Sequence, residues 1–168
     1  MKRIVRVLAL VLIVSLIPVS AFAASGRPYK DVTVKTVGKT NYKAVKKCKK
    51  WGATRVFVKK NAKKLHPYKK VTRRQVVKAL AKASKTGIAK MPAYDKANKK
   101  ATVGFFAKYA MKLDKEVYGM TIEYDDSVLN STEPLDRALL CGYIYLHEKV
   151  ARIRNAAPIG DGGSDESQ

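Results

Sequence analysis

Apolar residues return at helical spacing in four stretches of this chain. In Asn41 to Trp51, Tyr42, Val45, Cys48 and Trp51 follow at three-residue steps, with Lys46, Lys47, Lys49 and Lys50 around the other side. That pattern predicts an amphipathic helix, and Gly52 is placed to end it. Val76, Val77, Leu80 and Ala81 form a second stripe, after Thr72 and before Gly87. Phe105, Phe106, Tyr109, Ala110 and Leu113 form a third, in Thr102 to Leu113. The longest runs from Asp136 to Ile153 through Leu139, Leu140, Tyr143, Ile144, His147, Val150 and Ala151. Between them, Gly26 to Thr40 reads as an irregular lead-in and Arg55 to Lys59 as a short strand or extended loop. Met91 to Lys100 reads as a linker and Val117 to Tyr124 as extended. The fold class predicted is all-α in the main: two helix-loop-helix repeats around a shared core, with short extended segments in the loops. Helices this short do not persist alone in water, so Tyr42, Val45, Trp51, Val76, Leu80, Phe106, Tyr109, Leu140, Tyr143 and Ile144 are expected in one core.

The second helix start carries the most local information. Thr72 is a good N-cap, because its hydroxyl accepts from a free N–H of the first turn. Gln75 stands three residues on, at the spacing of a capping box. Arg73 and Arg74 sit at the helix mouth, among unpaired N–H groups and the positive end of the dipole. Two guanidiniums there suit a carboxylate or a phosphate. A capped surface helix with solvated arginines is the plainer alternative. A similar arrangement returns at Glu133-Pro134-Leu135-Asp136-Arg137-Ala138, where Asp136 takes the place of Thr72 and Arg137 that of Arg73. A recurring unit of this size points to internal repetition.

Charge sharpens this. The chain has 35 Lys and Arg against 13 Asp and Glu, a formal +22. Ser25 to Leu113 holds 27 of the basic residues against two acids, Asp31 and Asp95; Asp114 to Gln168 holds five against eleven. A basic half beside an acidic half points to an anionic partner for the first, and Lys63, Lys64, Lys69 and Lys70 surround the Thr72 helix start. The other reading is that the lysines serve solubility. Ahead of this, Lys2, Arg3 and Arg6, an apolar run from Val7 to Ile17 and Ala21-Phe22-Ala23 have the three-part form of a secretory signal cleaved after Ala23. An uncleaved anchor is the alternative. Residues 1–23 are thus expected to be a signal peptide, 24–90 a basic repeat, 91–155 a divergent acidic repeat, and 156–168 a disordered acidic tail.

Enzyme chemistry has little support. No glycine-rich phosphate loop stands at a strand-to-helix turn, and no Cys/His spacing suits a metal, so no cofactor is expected. His66 lies in a lysine-rich loop and His147 on an apolar stripe. Neither has a partner nearby in sequence, so both read as structural. Asp125-Asp126-Ser127 reads as a turn rather than a carboxylate pair. Cys48 and Cys141 fall on core-facing positions, and export would permit a disulfide; sequence leaves open whether they pair.

With these residues the helix-loop-helix pattern resembles the S-layer homology repeat, over about Tyr29 to Val150. The first unit matches at Tyr29-Lys30-Asp31-Val32, at Ala44-Val45, Cys48 and Gly52, and at Leu65, Pro67, Val71, Thr72 and Arg73. The second matches at Tyr124, Asp126, Leu129, Pro134, Leu135 and Arg137. The resemblance implies a secreted bacterial cell-surface protein bound noncovalently to an anionic secondary cell-wall polysaccharide, often one carrying pyruvate ketals. Such repeats usually come in threes forming a helical spindle. With two recognised here, the third comes from a second copy or another protein of the family, or is dispensable. Its ligand arginine corresponds to Arg73 and Arg137, with Thr72, Arg74, Gln75, Lys63, Lys64, Lys69 and Lys70 around them. The sequence departs where the family glutamate is Gln75 in one unit and Leu139 in the other, and where Asp136 stands beside Arg137, placed to pair with it. The competing reading is a secreted polycation that binds nucleic acid, other polyanions or a membrane surface.

Overall fold

The computed structural model describes residues 26–156. The expected signal peptide lies outside them, and of the acidic tail only Ala156 is described. Five α-helices follow in order: α1 Val34–Trp51, α2 Arg73–Ala83, α3 Val103–Tyr118, the single turn α4 Asp126–Leu129, and α5 Arg137–Ala156. Short 3-10 turns lie at Ala53–Val56 and Ile88–Lys90. Among the described residues there are no β-strands, only isolated bridges. The chain is therefore mainly helical, as its apolar periodicity predicts.

Three helix starts meet at one junction. Each is an apolar residue, then a capping residue, then the first helical residue: Val71-Thr72-Arg73, Ala101-Thr102-Val103 and Leu135-Asp136-Arg137. The apolar residues join in a closed ring. The N–H of Val71 donates to the Leu135 carbonyl at 3.0 Å, that of Leu135 to Ala101 at 3.0 Å, and that of Ala101 to Val71 at 2.9 Å. A second ring lies outside it, with Arg73 N–H donating to Lys99, Val103 to Glu133 and Arg137 to Lys69. A third follows, with Arg74 N–H donating to Ala97, Gly104 to Ser131 and Ala138 to Pro67.

These rings answer a problem every helix start has, since its first N–H groups have no partner within the helix. Here the neighbouring segment accepts from the first two helical N–H groups of each helix. The cap side chain takes the next: Gln75 N–H donates to Thr72 Oγ1 at 3.4 Å, Phe105 to Thr102 Oγ1 at 3.2 Å and Leu139 to Asp136 Oδ1 at 2.9 Å. The side chains of Val71, Ala101 and Leu135 are fully buried at the centre. The junction thus has approximate threefold symmetry, and its middle unit is the Thr102 start.

Gly104 is where the packing is tightest. A Cβ there would lie 2.6 Å from the Leu129 carbonyl oxygen and 2.7 Å from that of Ser131. Gly104→Ala should therefore destabilise the protein, although alanine is the better helix former by about 1 kcal/mol. The net loss expected is about 1–3 kcal/mol, because backbone has to shift. Urea unfolding measures it, and a stabilised variant would contradict this packing.

α1 lies against α5. Cys48 faces Cys141, its Sγ 3.6 Å from the Cys141 carbonyl oxygen, and the Trp51 and Tyr145 rings stack at 6.3 Å. Both thiols are free and buried. The hydrogen bond with Cys141, then burial, push the Cys48 thiol pKa up, which makes it a packing residue rather than a nucleophile. The expected core forms: Val45, Val76, Leu80, Phe106, Tyr109, Leu140 and Ile144 are buried in one cluster, with Tyr42, Trp51 and Tyr143 packed against it.

Four local expectations are corrected. The lead-in Gly26 to Thr40 is not wholly irregular: α1 begins at Val34, under a reciprocal Thr33/Thr36 capping box, and bends at Gly38, where φ is 78°. Arg55 to Lys59 is not a strand; it follows the αL cap Gly52 into a 3-10 turn. α3 continues past Leu113 to Tyr118, so Val117 to Tyr124 is helical at its start, and Gly119 ends the helix in the αL conformation. Asp136 does not pair with Arg137: it caps α5 and lies 3.8 Å from the Lys70 ammonium. In each of the first two, a cap decided what side-chain propensity left ambiguous.

Candidate anion-binding site

Arg73 is the first helical residue of α2, and its backbone is pinned by the Lys99 carbonyl. Its side chain therefore leans toward α3. The guanidinium lies over the Phe105 ring, 4.6 Å from the centroid, and an Nη1 reaches the Asp95 carboxylate. Its Nε is buried and makes no hydrogen bond among the described residues. The ring face holds the cation in place. Asp95 is 69 % exposed while the arginine side chain is 18 % exposed, so the ion pair is wet at one end and adds little stability.

A groove of about 610 Å³ opens beside this arginine. It is lined by Tyr94 and Asp95, by the first turns of α3, and by Asn130, Ser131 and Thr132. Lys108 and Lys112 project from α3 into it, one and two turns beyond Phe105. Lys112 also donates to the Ala93 carbonyl at 3.1 Å. Three cations and the Asp95 carboxylate thus line it with amide and hydroxyl groups, and Glu116 lies 3.8 Å from the Lys112 ammonium. A guanidinium fork set among flexible ammonium groups suits an extended anionic ligand.

The remaining sequence-predicted residues divide by position. Thr72 and Gln75 cap each other reciprocally, with Thr72 N–H donating to Gln75 Oε1 at 3.0 Å, and neither lines the groove. Arg74, Lys63, Lys64, Lys69 and Lys70 are exposed and line neither this groove nor a second cleft beside α1. Lys70 donates to the Pro134 carbonyl at 3.2 Å. Arg137 is buried. It donates to the Leu65 carbonyl and lies 5.7 Å from the Phe57 ring centre, and its Nε has no hydrogen bond among the described residues. Burial lowers its pKa, and the nearby Asp31 carboxylate opposes that. Asp31 in turn accepts from the N–H groups of Leu65 and His66 at 2.9 and 2.7 Å. So Arg137 holds a loop, whereas the matching Arg73 stands at a groove.

Sequence reasoning missed Tyr94, Asp95, Phe105, Lys108 and Lys112. One signal pointed to them: Ala101-Thr102-Val103 repeats the apolar–cap–helix order of the other two starts. It also missed a buried cluster. His147 Nε2 hydrogen-bonds Asp114 at 3.0 Å, and its Nδ1 lies 3.7 Å from Glu148, with all three side chains almost fully buried. Burial lowers the imidazole pKa, but the bond to Asp114 and the two carboxylates outweigh it and raise the value to about 9. With solvent excluded, the cluster ties α3 to α5. No protein-family model, curated protein or solved structure matches the chain.

Proposed function

We propose that this is an exported bacterial cell-surface protein that holds an anionic cell-wall polysaccharide, noncovalently, in the groove beside Arg73. The observation that carries the reading is the Arg73 guanidinium, fixed on Phe105 and flanked by Lys108 and Lys112. A pyruvate ketal presents a carboxylate on a sugar, and the arginine fork can meet it with two parallel hydrogen bonds. A ligand carboxylate would take the place of Asp95, whose exposed ion pair costs little to break. The S-layer homology resemblance of the sequence agrees with this reading. On the same reading the Thr102 start supplies the third unit of the spindle from within the chain. A second copy or another protein of that family is then not needed, and the protein should act as a monomer.

Arg73→Lys keeps the charge and loses the fork. Binding to isolated cell-wall sacculi bearing their secondary polymer should weaken by about 1–3 kcal/mol, the scale of a charge-assisted hydrogen bond. Binding to heparin should stay near wild type, because it follows total charge. Arg137→Lys should act on folding rather than on ligand, since that guanidinium is buried. Equal weakening of wall and heparin binding by Arg73→Lys would favour the polycation reading instead.

A further inference from the structure

We infer that a second cleft, on the outer face of α1, is a separate attachment site for a linear phosphodiester polymer of the wall. The cleft measures about 630 Å³ and shares no residue with the Arg73 groove. Lys43, Lys46, Lys47, Lys50 and Arg27 line it, all exposed. Tyr145 of α5 lines it, held by its stack on Trp51. No carboxylate among the described residues lines it. Lys49 helps build the wall rather than offering its charge. It donates to the Pro28 carbonyl and lies 4.6 Å from the Tyr29 ring centre, which fixes the 26–29 segment against α1.

The spacing sets the kind of ligand. Positions 43, 46, 47 and 50 recur at three and four residues, so they share a helix face. They extend over about 10 Å of helix axis, at a rise near 1.5 Å per residue. A ladder of that length exceeds one small anion and suits successive charges of a chain. Such lysines repel one another unless counter-charge is present. Concavity favours a strand over a flat bilayer, and no wide apolar face accompanies the cations, as a membrane-lying helix requires. Flexible ammonium groups act as point charges that can follow successive phosphates along a chain, whereas the fixed Arg73 fork suits one planar anionic group such as a ketal carboxylate. Two chemistries are thus separated onto two sites. The inference rests on the wall-binding reading only for the choice of polymer.

The test uses the full chain and poly(glycerol phosphate) as probe. A variant with Lys43, Lys46, Lys47 and Lys50 each changed to Gln keeps helix propensity and removes four charges. A control with Lys59, Lys78, Lys82 and Lys90 changed to Gln removes as many charges elsewhere. The α1 variant should bind the probe at least tenfold more weakly than the control. Its salt dependence should be shallower by about 0.7–0.9 for each phosphate it no longer neutralises. Its binding to a pyruvylated wall saccharide should match that of the control. Equal weakening in the two variants would overturn the site, as would equally tight wild-type binding to a thymidine oligonucleotide or to phosphatidylglycerol vesicles. Arg73→Lys, run beside them, reports on the other groove: its loss of saccharide binding is independent of either result.

Discussion

Leu135→Ala is expected to lower the stability of the folded chain by about 2–5 kcal/mol, the range for a fully buried leucine that leaves a cavity. Leu135 has no exposed surface and stands at the centre of the three-way junction with Val71 and Ala101. Its own N–H and carbonyl are both members of the inner ring. Because Ala101 is small, Leu135 and Val71 fill most of the space there, and collapse around a truncated side chain would strain the ring. The loss should appear as a fall of roughly 10 °C in Tm. Leu146→Ala, at a position 40 % exposed, is the control and should change stability by less than about 1 kcal/mol. Both are read by urea unfolding followed by circular dichroism. Similar effects for the two would mean that the junction does not hold the helices together.

His147→Ala should be as damaging, for an electrostatic reason. It leaves Asp114 and Glu148 buried with no cation between them, and breaking such a pair costs about 3–5 kcal/mol. The wild type should carry a matching pH dependence. An unfolded imidazole titrates near 6.5 and the folded one near 9. Between those values the folded protein keeps a proton that the unfolded chain has lost, so stability falls as pH rises. The contribution is complete below about pH 6.5 and gone above about pH 9, and amounts to at most about 3 kcal/mol. Unfolding curves across that window measure it. The variant should lose the slope; an unchanged slope in His147→Ala would assign the pH dependence to other groups. Asp114→Asn combined with His147→Ala should cost less than the two single changes added, since each removes the other's partner.

The cluster and the groove were hidden from sequence for one physical reason. His147 and Asp114 are 33 residues apart, and Arg73 and Phe105 are 32 apart. Periodicity reports which face of a helix is apolar. It carries no record of which helix comes to lie against that face. Glu148 is adjacent to His147 in sequence, yet its role depends on burial that only packing creates.

What the sequence by itself determined is local. The apolar stripes specify the principal helices, because burial of one face requires that spacing. Thr72 and Gln75 specify the start of α2, because a capping box is completed within four residues. The contrast between the halves locates the basic surface. Tertiary structure decided the rest. The starts at residues 71 and 101 share a threonine cap, but the first helical residue is arginine at 73 and 137 and valine at 103, so the arginine match marked two of them and passed over Ala101-Thr102-Val103. What unites the three is backbone hydrogen bonding between residues 30, 34 and 64 positions apart, and backbone groups are the same in every residue. The same closure put Arg73 on a groove and Arg137 inside the core. Matching arginines at matching positions thus acquired different work, because Phe105 and an exposed acid lie beside one and the Leu65 carbonyl beside the other.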